Sequence, residues 1–408
     1  MESLFSKKEI KKITKKKKHT CLECGLFRDA KNPRMKVTGK GKKRILNIGG
    51  FMPDTDDFQN EHWQSKAGKL LKLEYKKLGI DIEEDCWNYN ATQCYSPYAN
   101  GFSITCCRRK VKEVIKKYKP HIIMAFGEES VESLLGNKLK SFSSNINKWR
   151  GFHAPDREYK AFVCPVFHPG MFIKNSRGRK KYVLLDDLQE EYSTIWRQDL
   201  KNALECLNKK LPKNQDYEEQ VQIITDLRIL ENIKEGVVAF DYKTTGLKPY
   251  AKGHRIVSAS VCDGDNCYAF MMPKLYKERK PFLNILTNPK NYISSHNFSF
   301  EKMWTEHRLL TKIKNEFWDS QLAAHILDNR KGITGLKFQS YVEIGLEDYS
   351  SHIDTYIKSS DGESSNSFNK IMELVDVDKH SLLLYNGLDS LAGYKLTEIQ
   401  MKKMGVEL

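Results

Sequence analysis

The strongest constraint on the fold is a rhythm. Short apolar runs, ILNI at 45–48, HIIMAF at 121–126 and FVCPVF at 162–167, alternate with stretches such as AGKLLKLEYKKLG and VKEVIKKYK. The latter carry apolar residues at helical spacing. Strand-length apolar runs separated by amphipathic helices build a parallel sheet covered by helices, an α/β architecture. The rhythm holds from Cys21 to about Lys210 and breaks at NKKLPKNQDYEE, which is polar, contains a proline and has no period. That stretch reads as a linker. A chain of 408 residues is long enough for two or three domains. The expected organisation is a basic tail at 1–20, a first domain at 21–208, a linker at 209–219 and a second domain at 220–408.

In the second domain VQIIT, VVAFDY, IVSASVC and CYAFMM are strand-like, whereas the chain from Phe300 onward is mostly helical in pattern. Strands in succession followed by helices suit a mixed sheet with helices on its faces. The serine-rich SSDGESSNS at 359–367 reads as a loop.

Charge narrows the partners. Lys and Arg total 68 against 52 Asp and Glu, a formal net charge of +16. Basic side chains near phosphates release condensed counterions, so nucleic acid is the leading partner; a lysine-rich surface serving only solubility is the alternative. No apolar run approaches membrane-spanning length, and MESLFSKKEIKKITKKKKH lacks the apolar stretch of a secretory signal. An intracellular protein with no membrane partner is expected. Ten cysteines then point to buried thiols or metal ligands rather than disulfides.

Cys21 and Cys24 form a CxxC pair, and Cys94 and Cys107 lie where the fold could bring them near it. Four thiolates hold either zinc or an iron–sulfur cluster. Around them the sequence resembles the family 4 uracil-DNA glycosylases, over most of 21–188. Their pocket loop, GEAPG followed by a spaced FVGxAGxLL, lines up without gaps on 49–71, with Ala67, Gly68, Leu70 and Leu71 retained. Trp63 falls on the aromatic that stacks on the extruded base, and Asn90 on the asparagine that reads uracil's polar edge. His168 and Pro169 in VFHPGMF fall on the histidine–proline motif. The resemblance implies an α/β/α parallel-sheet domain with a 4Fe–4S cluster on Cys21, Cys24, Cys94 and Cys107, choosing Cys107 over Cys106. One departure matters: after the first pocket glycine, Gly49, the family has a glutamate that positions the attacking water, and this chain has Gly50. Glycine can neither orient nor deprotonate water.

From Val221 onward the chain resembles DEDDy-type 3′–5′ exonucleases, particularly the proofreading domain of family A DNA polymerases. The motif DxE before TTGL is Asp241, Tyr242, Lys243; the second motif is His296, Asn297 and Phe300 with Glu301; the third is Tyr385 and Asp389 in YNGLDS. Between them, FWDSQLAAHIL and GLKFQSYVEIG match the linking helices. The resemblance implies an RNase H-like (DnaQ-like) fold in which Asp241, Glu301 and Asp389 hold Mg2+ or Mn2+ and Tyr385 orients water. Two-metal chemistry needs converging carboxylates, and Lys243 supplies an ammonium where the family has glutamate. That lysine is either an inherited loss or a substitution made to block the nuclease.

The combined reading is a DNA-replication or repair protein, similar to the front half of viral family A polymerases that carry a glycosylase-like extension, working in the cytoplasm of a bacterial host. The sequence stops just after the third exonuclease motif, which suits a polymerase subunit or part. Rival readings are a non-catalytic DNA-binding and polymerase-assembly module, and a uracil-DNA glycosylase or uracil sensor resting on Trp63, Asn90 and His168; the expected DNA- or base-binding residues are Gly49, Gly50, Trp63, Asn90, His168 and Asn297.

Overall fold

The computed structural model describes residues 19–139, 142–173, 186–211, 216–350, 352–358 and 366–408. The chain forms two compact units, Met1–Leu211 and Pro212–Leu408.

In the first unit five strands, β1 Ile45–Gly49, β2 Cys86–Asn90, β3 Ile122–Phe126, β4 Ala154–Asp156 and β5 Ala161–Val166, stand in the order β2-β1-β3-β5-β4. All neighbours are parallel except β4, which runs antiparallel to β5. Helices α1 Cys21–Cys24, α2 Asp54–Gln59, α3 Lys66–Lys77, α4 Gly101–Tyr118, α5 Glu128–Leu135, α6 Ile146–Trp149 and α7 Asp186–Glu205 complete it. Strands β1, β3 and β5 are buried at every position, which is why they read as continuous apolar runs. Strand β2, CWNYN, gives no such signal. Its polar residues are satisfied internally: Asn47 donates to Asn88 at 2.9 Å, and Tyr75 donates to Asn47 at 2.8 Å.

The second unit is a six-stranded mixed sheet. Strands β6 Val221–Ile223, β7 Gly236–Thr244, β8 Ile256–Cys262, β9 Cys267–Met271, β10 Asn291–Ser295 and β11 Glu316–Asp319 stand in the order β11-β10-β7-β8-β9-β6. Strand β8 is antiparallel to β7 and β9; the other pairs are parallel. Helices α8 Tyr276–Thr287, α9 Phe298–Arg308, α10 Ser320–Leu327, α11 Leu336–Ile344, α12 Asp354–Ile357 and α13 Ile371–Met404 cover it. Because side chains alternate along β7, Phe240 and Tyr242 enter an apolar core with Phe282, Phe298 and Trp304, and Asp241 and Lys243 share the opposite face. Helix α13 packs there, with Leu388, Leu391 and Ala392 in a second core. It is broken at Asp378, whose φ of −151° is not helical and whose carboxylate accepts from the Ser381 N–H at 3.0 Å.

One expectation needs correction. The FWD of FWDSQLAAHIL is not helix but lies in β11, which pairs with β10; Asp319 ends the strand and caps α10 by accepting from the Gln321 and Leu322 N–H groups. Tyr217 is buried in the second unit and donates to the Ile344 carbonyl at 3.3 Å, since an aromatic this size is better packed than solvated. Residues 1–18 of the basic tail and 359–365 of the serine-rich loop lie outside the described residues. No helix among the described residues is long and apolar enough to cross a membrane.

Candidate active sites

In the first unit four parallel strands deliver their C-terminal ends to one place, where open α/β sheets bind ligands. Gly49 ends β1, Asn90 ends β2, Glu128 and Glu129 follow β3, and His168 follows β5. A Cβ at Gly49 would lie 2.3 Å from Asn90 Oδ1, so only glycine admits the amide there. Trp63 is 4% exposed, meets Phe126 edge-on at 5.1 Å and faces the His168 ring at 6.0 Å. Its backbone has a φ of +63° and is fixed by Asp56, whose carboxylate accepts from the N–H groups of Trp63, Gln64 and Ser65 at 2.8, 3.0 and 3.1 Å. His168 Nδ1 accepts from the Gly170 N–H at 3.1 Å, so its proton sits on Nε2. Burial pulls this histidine down to about 4, leaving a neutral hydrogen-bond donor at neutral pH.

The position left without an acid is not left without a carboxylate. A Cβ at Gly50 would lie 3.1 Å from Glu129 Oε2. Glu129 sits in the first turn of α5, and no motif singled it out, because the contact joins two strand ends distant in sequence.

Beside the sheet, Cys21, Cys94, Cys106 and Cys107 line a cavity of about 780 Å³ together with Arg34 and Lys36. A capping box fixes the CxxC turn: the Thr20 hydroxyl accepts from the Glu23 N–H, and the Glu23 carboxylate accepts from the Thr20 N–H at 2.8 Å. The Arg34 N–H donates to Cys94 Sγ at 3.2 Å. Burial pushes the Cys107 thiol up to about 12, and Cys24, Cys94 and Cys21 add to the rise against the Gln93 backbone. Burial likewise raises Cys106 to about 11, with Cys24 and Cys21 adding to the rise. Among the described residues, only His153, Cys164 and Cys206 bring three candidate ligand atoms within 4.8 Å of one another. The Cys21, Cys24, Cys94 and Cys107 thiols are therefore spread more widely than the about 3.8 Å that tetrahedral zinc imposes on its sulfurs. A soft, polynuclear group fits this donor set better than one zinc ion.

In the second unit Lys243 Nζ donates to Asp241 Oδ2 at 2.7 Å and to Asp389 Oδ2 at 2.6 Å. Lys337 of α11 and the Tyr349 hydroxyl both donate to the other Asp389 oxygen. Asn386 Nδ2 donates to Asp241 Oδ2 at 2.7 Å. Tyr385, one helical turn before Asp389, lies with its ring centroid 4.5 Å from Lys243 Nζ and 4.3 Å from Lys337 Nζ. Burial opposes ionisation of Asp389, but the Lys243 and Lys337 ammonium groups outweigh it and hold the carboxyl below its usual range. Burial pushes Asp241 up to about 6 against the pull of Lys243. Lys243 is itself disfavoured by burial, yet Asp241 and Asp389 hold it charged.

Glu301 of α9 is 3% exposed, and its Oε2 finds no hydrogen-bond partner among the described residues. Burial and then the Asp241 charge push its carboxyl well above the usual range. Asp241, Glu301 and Asp389 do not converge within 4.8 Å. Two carboxylates facing two ammonium groups leave no surplus negative charge for a divalent ion. A dication about 4 Å from one ammonium is repelled by about 8 kcal/mol at an effective dielectric constant of about 20. Mg2+ and Mn2+ do not fit the residues as they stand. Asn297 has a φ of +66° and an exposed side chain, its N–H anchored on Asp319 Oδ1 at 3.1 Å. Lys337, Tyr349 and Asn386 were not legible as site residues, since their charges and amides are brought in by tertiary packing alone.

Known proteins match both units. The family model described as 3′-5′ exonuclease matches residues 213–361. A Type-4 uracil-DNA glycosylase of Saccharolobus solfataricus is 31% identical over 178 residues, 42% of this chain and 79% of that protein. A Type-4 uracil-DNA glycosylase of Thermotoga maritima is 25% identical over 199 residues, 47% of this chain and 98% of that protein. A DNA polymerase of Bacillus phage SP01 is 24% identical over 345 residues, which is 73% of this chain and 34% of the polymerase.

Proposed function

The chain belongs, through its N-terminal region, to the type-4 uracil-DNA glycosylase family and carries a 3′–5′ exonuclease domain behind it; from this we propose a DNA-binding part or subunit of a phage family A DNA polymerase, working in the cytoplasm of a bacterial host, whose exonuclease chemistry is blocked by Lys243. The observation that carries the block is the Lys243 ammonium at 2.7 and 2.6 Å from Asp241 and Asp389. It stands where a first metal ion would be shared, and it makes the hydrogen bonds without supplying a Lewis acid. Tyr385 is then left packed on two ammonium groups rather than on an attacking water. Asn297 and the basic surface serve to hold DNA. Cys21, Cys24, Cys94 and Cys107 hold the iron–sulfur cluster, Cys107 being preferred over Cys106 because it falls on the cysteine of the glycosylase family's motif. When bound, the cluster ties α1 to α4 and to the loop after β2. The test is digestion of end-labelled single-stranded DNA with Mg2+: the chain is expected to leave it intact and Lys243→Glu to shorten it. Equal digestion by both forms would overturn the block.

A second reading is favoured by one contact. Glu129 Oε2 lies 3.1 Å from where a Gly50 Cβ would stand, so uracil excision remains chemically supported in the first unit. Asn90 pairs with the base edge, Glu129 takes a proton from water attacking C1′, and the His168 Nε2–H steadies the departing uracil anion. Release of uracil from a uracil-bearing oligonucleotide, lost in Glu129→Gln, is its signature; no release by the unaltered chain rules it out.

A further inference from the structure

We propose that His153, Cys164 and Cys206 form a zinc site in the first unit, separate from the iron–sulfur cysteines and from the base pocket. Their ligand atoms all lie within 4.8 Å of one another, the only such trio among the described residues. The fold explains why they meet. In the antiparallel pair β4–β5, Ala154 stands opposite Val163, so His153 immediately before β4 faces the neighbourhood of Cys164 on β5. Cys206 opens the short 3-10 turn Cys206–Asn208 that follows α7. His121 fixes that turn by donating from Nε2 to the Cys206 carbonyl at 3.0 Å and the Lys209 carbonyl at 2.9 Å.

The donor chemistry is specific. Both thiols are fully buried, and His153 Nε2 is buried with no hydrogen-bond partner among the described residues. A buried imidazole nitrogen without a partner costs free energy that a metal–nitrogen bond recovers. Two thiolates and an imidazole select zinc over magnesium or calcium, which require oxygen ligands. At Zn–S of about 2.3 Å and Zn–N of about 2.0 Å the donors stand under 4 Å apart, so closing from 4.8 Å takes movements of about an ångström or less. Three protein ligands leave the fourth tetrahedral position to water. The cysteines release their protons on binding. The ion would clamp the β4–β5 hairpin to the end of α7, just before the chain leaves the unit.

The test uses the full chain, kept reduced and stripped by a chelator, then titrated with ZnCl2 against a chromophoric zinc chelator, with iron measured in parallel. The unaltered chain is expected to bind one zinc equivalent that Cys206→Ser and His153→Gln each lose or bind roughly 100-fold more weakly. Iron content and far-ultraviolet circular dichroism should not change in either variant. Cys164→Ser is the less useful change, because that side chain is buried within β5 and its loss could unfold the sheet. The site is disproved if the unaltered chain takes up no zinc, if both variants retain the same uptake, or if mass spectrometry of protein purified without reductant shows a Cys164–Cys206 disulfide.

Discussion

An ammonium group stabilises two carboxylates only while all three stay desolvated together, and Lys243 meets that condition between Asp241 and Asp389. Removing one partner of a buried ionic cluster costs about 3–5 kcal/mol, because the remaining charges stay buried. Lys243→Met should lower the stability of the second unit by that order, read from urea unfolding. Lys243→Glu should be unstable in chelator but gain thermal stability with millimolar Mg2+, while the unaltered chain gains none; an equal Mg2+ shift in both would show that Lys243 does not exclude the ion. A separate residue-scale effect follows from His62 and His296, which burial pulls from 6.5 to about 4. Between those values the unfolded chain binds protons that the folded chain refuses, so stability is complete above pH 6.5 and falls as pH drops toward 4. By pH 5 each buried histidine should cost about 2 kcal/mol. Chemical unfolding at pH 7 and pH 5 checks the sign, and His296→Asn should flatten the dependence of the second unit.

At the scale of elements, α3 and the Trp63 loop approach so closely that a Cβ on Gly68 would lie 2.0 Å from the Trp63 carbonyl oxygen. Backbone atoms on both sides leave no rotamer to relieve the contact. Gly68→Ala should therefore cost at least about 1–3 kcal/mol in the first unit, measured by unfolding followed through tryptophan fluorescence. Gly68 was legible as a motif position, but its reason was not, since the motif does not show which backbone lies above it. The same division runs through the fold. Strands β1, β3 and β5 were readable because burial on both faces demands apolar residues at every position. Strands β2, β10 and β11 were not, because CWNYN, NYISS and EFWD place asparagine, serine and aspartate in buried or site-facing positions where partners such as Asn47, Thr397 and the α10 N-terminus satisfy them. Asp241, Lys243, Tyr385 and Asp389 were readable because they fall on motifs of the exonucleases the chain resembles; Glu129 and Lys337 reach their sites only through packing of distant segments.

For the whole molecule the deciding quantity is its net charge of +16. If that charge serves DNA, binding must obey counterion release: the logarithm of affinity falls linearly with the logarithm of salt, with a slope of about −0.7 per neutralised phosphate on single strands and −0.9 on duplex. A surface making about six to ten phosphate contacts loses about 10³- to 10⁵-fold in affinity between 50 and 200 mM salt. Fluorescence anisotropy of a labelled oligonucleotide across that range, in chelator so that no cleavage intervenes, reads the slope directly. Lys243 is buried on Asp241 and Asp389 and has no free charge to give a phosphate, so Lys243→Glu should leave the slope unchanged even where it restores digestion. Affinity and chemistry would then have separate origins in this chain, basic surface for one and buried acids for the other. A flat salt dependence, or no binding at 50 mM, would instead assign the lysines to solubility alone.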